Sequence, residues 1–290
     1  MSTRFRVRRL TKALGAEVDG IDLHPPLAED EVLAVHAALI EHQVLFFHDQ
    51  DLSDEEHLAL ASQFGEVSIY PLARLGGAAE PRVSYIRDSA ESPPDADGWH
   101  TDVTWIADPP AAAFLSARLI PPSGGDTMWA SLYAAYNSLS PAMQQVCDGL
   151  SVRHWYGTRF ESAVSRSVPP TIIERLRAEH PPVEHPLVAA HPVTGLKSLL
   201  LAGDFMQEIS GMHADESSML LGFLQHTLDD PNIQVRWHWR EGDLAIWDER
   251  CTNHRALSDH YPAERAMRRC TVDGPLLPER AFVDTSTQLM

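Results

Sequence analysis

Short apolar runs, separated by clusters of proline, glycine and aspartate, recur along the sequence beyond Arg82. Runs of this length between turn residues are typical of β-strands, and their spacing favours a sandwich or a barrel. The runs are VSYI (83–86), FLSARLI (114–120), SVRHWYG (151–157), VEHPLVAA (183–190), SLLLA (198–202) and QVRWHWR (234–240), with earlier strands at 5–10 and 44–47. We therefore expect a mainly β fold.

Helical patterns lie at the N-terminal end and between the apolar runs. Apolar residues at i, i+3, i+7 and i+8 predict a helix from Ala28, and Ser53 with Glu56 forms a capping box that begins a second helix. Further helices are predicted at 132–150 with a break at Pro141, at 170–180 and at 214–228. These helices would flank the β core. No repeat or linker divides the chain, so we expect residues 1–290 to form a single domain.

An excess of acidic residues limits the partners of the chain. Its 23 Lys and Arg against 41 Asp and Glu give a formal net charge of −18, whereas a protein that binds nucleic acid needs a basic surface. Neither nucleic acid nor an anionic membrane surface is expected as a partner. A small anionic substrate remains compatible, because a few arginines in a pocket can reverse the local field.

The cysteines and the apolar segments indicate the compartment. Cys147, Cys251 and Cys270 are widely spaced and form no paired motif, which disfavours a disulfide framework or a thiolate zinc site. The sequence has no apolar stretch after its basic start and no run of about 18 uninterrupted apolar residues. We expect a cytoplasmic protein without a membrane span.

The segment GWHTDVTW places His100 and Asp102 two residues apart. We expect this segment to begin a strand, from which both side chains would leave the same face and reach one ion. A His-x-Asp pair is weak support by itself, since 15 histidines make a chance match easy. A third ligand is needed for a metal site.

A third ligand is available in GDLAIWDERCTNHRAL, where a buried strand at 244–247 precedes His254. Two imidazoles and one carboxylate on one side of an ion form the facial triad of non-haem Fe(II) oxygenases, which leaves positions open for a co-substrate and oxygen. On spacing alone His238 and His260 are equally eligible, and His254 could instead cap a loop.

Three arginines, Arg265, Arg268 and Arg269, precede an alternating strand near the C-terminal end. An arginine buried there needs a carboxylate partner, which a dicarboxylate co-substrate would supply through two hydrogen bonds. The alternative is a set of solvated charges that pair with Glu264 or Asp259.

Three motifs in this order resemble the taurine dioxygenase family of Fe(II)- and 2-oxoglutarate-dependent enzymes: WHTDVTW (99–105), GGDTMWAS (124–131) and WDERCTNHRALSDHYPAERAMRR (247–269). The resemblance extends over almost the whole chain, from RVRRLTKALGAEVDGIDL to MRRCTVDG. It implies a double-stranded β-helix, or jelly roll, of two facing sheets with helices outside and iron at one open end. It also implies that the protein uses Fe(II), 2-oxoglutarate and O2.

The resemblance also assigns roles to individual residues. The iron ligands fall on His100, Asp102 and His254. The distal carboxylate of 2-oxoglutarate would be held by Arg265 and by the hydroxyl of Thr127.

The resemblance places the anionic head of the substrate at Arg269, assisted by the backbone amide of Val103. Tyr70 stands where taurine-specific members have a histidine that holds the sulfonate, and it can still donate one hydrogen bond. Ala73 and Ala96 stand where those members direct a tyrosine and an asparagine at the amino group of taurine. These departures remove the reason to prefer an aminoalkyl sulfonate.

Trp105, Phe160 and Phe205 would line an apolar wall, with ordinary core packing as the alternative. We then expect hydroxylation of a larger alkyl sulfonate or alkyl sulfate ester, with release of sulfite or sulfate plus succinate and CO2. Two other interpretations are the same cofactor chemistry on a carboxylate-bearing substrate and a non-catalytic jelly-roll binding protein. The helices at 141–150 and 214–228 could form a homo-oligomer contact or cover their own core.

Overall fold

The computed structural model describes residues 5–94, 98–166 and 168–274. The strands in these ranges are β1 (Arg6–Arg9), β2 (Ala16–Asp19), β3 (Val44–Phe47), β4 (Ser84–Asp88), β5 (Ala112–Leu119), β6 (Thr127–Ser131), β7 (Ser151–His154), β8 (Val183–Pro186), β9 (Val188–Ala190), β10 (Lys197–Leu199), β11 (Met206–Ile209), β12 (Gln234–Trp237), β13 (Leu244–Asp248), β14 (Thr252–Ala256) and β15 (Arg265–Val272). The α-helices are α1 (Glu29–His42), α2 (Asp54–Ser62), α3 (Pro71–Leu75), α4 (Leu132–Ser138), α5 (Pro141–Cys147), α6 (Gly157–Val164), α7 (Pro170–Glu179) and α8 (Ala214–His226).

Seven strands form the larger sheet, in the order β1-β2-β3-β13-β5-β15-β4. All pairs are antiparallel except β2 with β3. The central strands β3 and β13 are buried along their whole length. Their continuous apolar sequences, VLFF and LAIW, follow from this position, because a strand covered on both faces has no polar side.

A smaller sheet of β12-β6-β14 faces the larger one. Aromatic side chains fill the space between the sheets: Phe46 stacks on Trp237 with ring centroids 4.3 Å apart, and Trp129 meets Trp247 edge-on at 5.6 Å. Two facing sheets with helices outside are the architecture of a jelly roll. The prediction of a mainly β fold with flanking helices is confirmed.

The helices cover the outer faces of both sheets. Leu39 of α1 and Leu60 of α2 pack against the larger sheet, and α8 packs with α4 outside the smaller one. The predicted capping box is present, since Ser53 N–H donates to Glu56 Oε2 at 2.7 Å and Glu56 N–H donates to Ser53 Oγ at 3.2 Å. No helix within the described ranges is both long and apolar enough to cross a membrane.

Some elements differ from the expectations. The predicted strand at 151–157 ends at His154, and α6 follows it because Gly157, at φ 76°, turns the chain. β14 forms where the sequence analysis predicted no strand. Its first three residues, Thr252, Asn253 and His254, are polar yet buried, and side chains such as Asn253 bond to neighbouring backbone: Asn253 Nδ2 donates to Leu201 O at 2.5 Å. A hydrophobic pattern cannot reveal such a strand.

Candidate active site

His100 and His254 lie side by side although they are far apart in sequence. His100 N–H donates to His254 O at 2.9 Å and His254 N–H donates to His100 O at 2.8 Å, which forms an isolated antiparallel bridge. The ring centroids are 4.2 Å apart. His254 belongs to β14 and pairs with Trp129 of β6. The backbone of the smaller sheet therefore holds the two imidazoles together.

Asp102 lies in a turn, so the expectation that it begins a strand is wrong. Pairing with β14 stops at His100, and Val103 takes a φ of 54°, a conformation that β-branched residues rarely adopt. The turn still brings Asp102 Oδ1 to 3.8 Å from His100 Nε2. One potential ligand atom from each of His100, Asp102 and His254 lies within 4.8 Å of the others.

The protonation states in this cluster suit a metal site. Burial opposes ionisation of Asp102, but Arg269 and the two histidines outweigh it and lower the pKa of the carboxyl to about 2. Burial lowers the pKa of His254 well below its ordinary value, and His100 adds to the shift. His100 Nδ1 lies 2.9 Å from Gly98 O, which makes Nδ1 the donor and leaves the lone pair of Nε2 free for a cation.

The two other histidines considered as third ligands lie elsewhere. His238 Nδ1 is 2.7 Å from Asp126 Oδ1, and His260 Nε2 is 3.3 Å from Asp88 Oδ2. Within the part of the chain that the structure describes, neither belongs to a group of three potential ligands. His254 is the histidine that joins His100 and Asp102.

Glu249, which the sequence analysis did not single out, lies directly beside Asp102. Its carboxyl group accepts hydrogen bonds from Asp102 N–H at 3.2 Å and from Trp247 Nε1–H at 2.8 Å. Burial raises the pKa of Glu249 well above its ordinary value, and the Asp102 carboxylate adds to the shift. The position of this glutamate directly after the buried run LAIWD could have indicated it in the sequence, because a buried acid needs hydrogen-bond partners.

Arg265 and Thr127 are neighbours at the start of β15 and of β6. Arg265 is buried, its Nε donates to Gly125 O at 2.9 Å, and its Nη2 donates to Thr127 Oγ1 at 3.3 Å. Trp239 Nε1 donates to the same hydroxyl at 2.9 Å. Arg265 forms an ion pair with Asp88 at 3.9 Å, rather than with Glu264 or Asp259, the acidic residues that the sequence suggested.

Arg269 lies on the same face of β15 as Arg265, because side chains alternate along a strand and these two are four residues apart. Its Nη1 donates to Asp102 Oδ2 at 2.6 Å. Tyr70, just before α3, is close to both groups. Burial raises the pKa of the Tyr70 hydroxyl to about 12, with Arg269 lowering it and Asp102 raising it further. Tyr70 therefore stays a hydrogen-bond donor near Arg269.

A cavity of about 860 Å³ extends from this cluster to the surface beside α8. Such a volume lies in the upper part of the range for small-molecule sites. The residues singled out from the sequence that line it are Tyr70, His100, Asp102, Val103, Trp105, Phe160, Phe205 and Arg269. Arg265, Thr127 and His254 do not line it.

The three predicted wall aromatics both line the cavity and pack on one another. Ring centroids are 5.9 Å apart for Trp105 and Phe160, and 6.0 Å apart for Phe160 and Phe205. The pocket and packing interpretations are therefore compatible. Ala73 is in α3 and does not line the cavity, and Ala96 lies outside the described residues.

A sequence profile described as "Taurine catabolism dioxygenase TauD, TfdA family" matches residues 6–271. The chain belongs to this family. An alkylsulfatase of Acinetobacter baylyi is 36% identical over 276 residues, or 93% of this chain and 86% of the relative. An alpha-ketoglutarate-dependent sulfate ester dioxygenase of Pseudomonas putida is 35% identical over 266 residues, or 90% of this chain and 87% of the relative.

A crystal structure of a taurine dioxygenase from Burkholderia xenovorans is 34% identical to this chain. It matches with a TM-score of 0.78 over 94% of this chain and 92% of that one. These comparisons confirm the prediction of a TauD/TfdA-family dioxygenase that depends on 2-oxoglutarate, also called alpha-ketoglutarate.

This TauD/TfdA-family protein has a second group of potential ligands, His191, Asp248 and Cys251. His191 Nδ1 accepts two backbone N–H groups of the following turn, so Nε2 donates to Asp248 Oδ2 at 3.0 Å. Arg250 Nε binds Asp248 Oδ1 at 2.9 Å, and burial raises the pKa of Cys251 well above its ordinary value. These groups already bind one another, and they fix the turn between β13 and β14 that leads to His254.

Proposed function

We propose that this enzyme is an Fe(II)- and 2-oxoglutarate-dependent dioxygenase that oxidises alkyl sulfate esters and releases sulfate. The observation that carries the proposal is the cluster of His100, Asp102 and His254, with ligand atoms within 4.8 Å of one another beside a large cavity. A structural zinc site uses four protein ligands, whereas no fourth potential ligand joins this group among the described residues. Two imidazoles and one carboxylate fit Fe(II) and leave positions open for a co-substrate.

Arg265 and Thr127 are proposed to bind the distal carboxylate of 2-oxoglutarate. Arg265 is buried, and the distance between its Nη1 and Asp88 Oδ2 is 3.9 Å, which is longer than a charge-assisted hydrogen bond. A guanidinium binds a carboxylate through two parallel hydrogen bonds. The Thr127 hydroxyl, already an acceptor from Arg265 and Trp239, can donate its own proton to the same carboxylate.

Arg269, Tyr70 and Val103 are proposed to hold the sulfate group. Arg269 uses Nη1 for Asp102, and a guanidinium has further N–H donors for an anion. The Val103 N–H makes no hydrogen bond to any residue that the structure describes. An amide in a turn with left-handed backbone is a common anion-binding group. Together these donors face the cavity lined by Trp105.

The cavity wall favours an alkyl tail over the amino group of taurine. Trp105, Phe160 and Phe205 are apolar, and apolar surface binds a hydrocarbon chain by removing it from water. Two relatives are named as an alkylsulfatase and a sulfate ester dioxygenase, which supports an ester of sulfate as the substrate class.

When bound, iron and 2-oxoglutarate would use O2 to convert a C–H bond of the substrate into C–OH, with succinate and CO2 as the other products. The residues of the chain position the substrate: Arg269 and Val103 fix the sulfate, so the carbon that bears the ester oxygen is presented to the metal ligands. A hydroxyl on that carbon loses its proton as a carbonyl forms, and sulfate leaves with the electrons of the C–O bond. The products are an aldehyde and sulfate.

An anaerobic titration of the metal-free protein with Fe(II) and 2-oxoglutarate tests the cofactor assignment. We expect a weak visible charge-transfer band that requires both components. His100→Ala should abolish the band, whereas the control His238→Ala should keep it, because His238 is bonded to Asp126 outside the cluster. A band that survives His100→Ala would contradict the assigned ligands.

Addition of oxygen with octyl sulfate, octanesulfonate or octanoate then tests the substrate class. Sulfate formed with an equal amount of succinate from octyl sulfate supports the proposal. Sulfite from octanesulfonate alone would assign a sulfonate, and succinate formation with octanoate alone would assign a carboxylate-bearing substrate. The absence of both band and turnover would indicate a binding protein.

A further inference from the structure

Gly222 lies in the middle of α8, where glycine weakens a helix. Glycine loses more backbone entropy than other residues on entering a helix, so a glycine there calls for a reason. Its backbone has no positive φ, and no described atom beyond its chain neighbours and the backbone of α8 lies within 4 Å of the position that a Cβ would take. Neither backbone conformation nor close packing therefore requires glycine at this position.

The place of Gly222 in the cavity supplies a reason. Gly222 lines the cavity together with Gln225 and His226, which follow it on the same face of α8, and with Asp229 of the 3-10 turn after the helix. Gly222 is exposed, whereas its neighbour Leu221 is packed in the core. A side chain at residue 222 would therefore occupy the space through which the cavity reaches the surface.

We propose that Gly222 keeps the outer end of the cavity open for the far end of an alkyl chain and so sets the longest substrate that the enzyme accepts. This inference rests on the proposed function, because it takes Arg269 as the anchor of the sulfate at the inner end. With the head fixed there and Phe160 and Phe205 along the wall, a chain that extends toward α8 meets Leu221 and Gly222 before the polar side chains at the surface. Each methylene that enters an apolar site strengthens binding about fourfold.

The test compares four proteins: the wild type, Gly222→Ala, Gly222→Leu and the control Gly149→Leu. Gly149 is also exposed, also has no described atom beyond its chain neighbours within 4 Å of its Cβ position, and does not line the cavity. The kcat/KM of the iron-loaded enzyme is measured with hexyl, octyl and decyl sulfate below their micelle concentrations. Binding of each ester to the anaerobic enzyme with iron and 2-oxoglutarate is measured by calorimetry.

We expect Gly222→Leu to lower kcat/KM and affinity for decyl sulfate at least about tenfold, the effect of excluding roughly two methylenes, and to leave hexyl sulfate unaffected. Gly149→Leu should match the wild type at every chain length. Gly222→Ala should melt at a higher temperature than the wild type, which shows that the helix tolerates a side chain. An unchanged chain-length profile in Gly222→Leu, or an equal loss for all three esters, would overturn the inference.

The calorimetry separates this inference from the proposed function. If the wild type releases no sulfate from any ester, the proposed reaction fails. The inference still stands if the esters bind more tightly with length and Gly222→Leu removes that trend. It is overturned if the wild type binds none of the three esters.

Discussion

The guanidinium of Arg269 lies 2.6 Å from the carboxylate of Asp102, so the proposed anchor of the substrate is hydrogen-bonded to a proposed iron ligand. The two oxygens of Asp102 therefore have different neighbours: Oδ2 meets Arg269, and Oδ1 lies 3.8 Å from His100 Nε2. The positive charge of Arg269 balances the buried carboxylate of Asp102. The proposed assignments therefore link substrate binding to metal binding through the side chain of Asp102.

Replacement of Arg269 by methionine tests this link. We expect kcat/KM for an alkyl sulfate to fall about 100-fold, because loss of one partner of a buried charge pair costs roughly 2–5 kcal/mol. The KM for 2-oxoglutarate should change much less, since Arg265 lies four residues away. Arg268→Met is the matched control: Arg268 binds Asp54 at 2.5 Å and does not line the cavity. Equal losses for both substrates in Arg269→Met would contradict the assignment.

Replacements at Arg265 and Thr127 should affect 2-oxoglutarate instead. Thr127→Val removes one hydroxyl, and one hydrogen bond is worth about 0.5–1.5 kcal/mol, so the KM for 2-oxoglutarate should rise roughly threefold to tenfold. Arg265→Met should raise it further, because a charge-assisted, bidentate contact is lost. The concentration of 2-oxoglutarate that half-saturates succinate formation measures both effects. An unchanged value in Arg265→Met would remove this residue from the site.

Asp248→Asn should destabilise the fold strongly. Asp248 is fully buried and binds both His191 and Arg250, and breaking a buried ion pair costs about 3–5 kcal/mol. The control is Glu179→Gln, since Glu179 pairs with Arg175 at 2.9 Å on the exposed side of α7, where such pairs contribute roughly 0.5 kcal/mol or less. Urea unfolding measures both free energies. Similar losses for the two variants would show that the buried cluster does not fix its turn.

Lowering the pH should destabilise the protein over the pH range in which two buried histidines remain neutral in the folded state. Burial lowers the pKa of His57 to about 4 and that of His154 to about 3, whereas in the unfolded chain both titrate near pH 6.5. The unfolded state therefore binds more protons below pH 6.5. Each histidine lowers the free energy of unfolding by up to about 1.4 kcal/mol per pH unit as the pH falls from about 6.5 to about 4, and neither contributes above pH 7.

Urea midpoints at pH 7, 6, 5 and 4.5 measure this dependence. The variant His57→Leu, which cannot take up that proton, should show a shallower fall in the free energy of unfolding than the wild type. Parallel pH profiles for the two proteins would mean that His57 is not neutral in the folded state.

Local sequence was sufficient for much of the fold, and motif order for the grouping of His100, Asp102 and His254. VLFF and LAIW are apolar because their strands are covered on both faces, so a search for continuous apolar runs finds them. The turn at Asp102 was beyond such an argument, because a β-branched residue such as Val103 locally prefers extended backbone. In the folded chain Val103 is buried in one cluster with Leu75, Tyr156 and Leu176, which are distant in sequence.

The sequence analysis did not identify Glu249 or α6, and the two reasons are related. The hydrogen-bond partner that indicates a role for Glu249 is the backbone N–H of Asp102. This group lies close to Glu249 only once the sheets have formed. α6 is only eight residues long and presents Phe160, Ala163 and Val164 to the cavity, so the sequence offers a single helical turn of apolar residues there. Sequence reasoning is weakest where side chains serve a cavity or a distant backbone group.

The bridge between His100 and His254 has a consequence for biosynthesis. A nascent chain that has emerged from the ribosome as far as β12 exposes His100 and Asp102, but it lacks β14 and also β15, the strand that joins β5 to β4 in the larger sheet. The three proposed ligands therefore come together only after β14 has been translated, and long-range pairings of this kind form slowly. Iron bound to all three residues would mark a chain that has folded at least as far as β14.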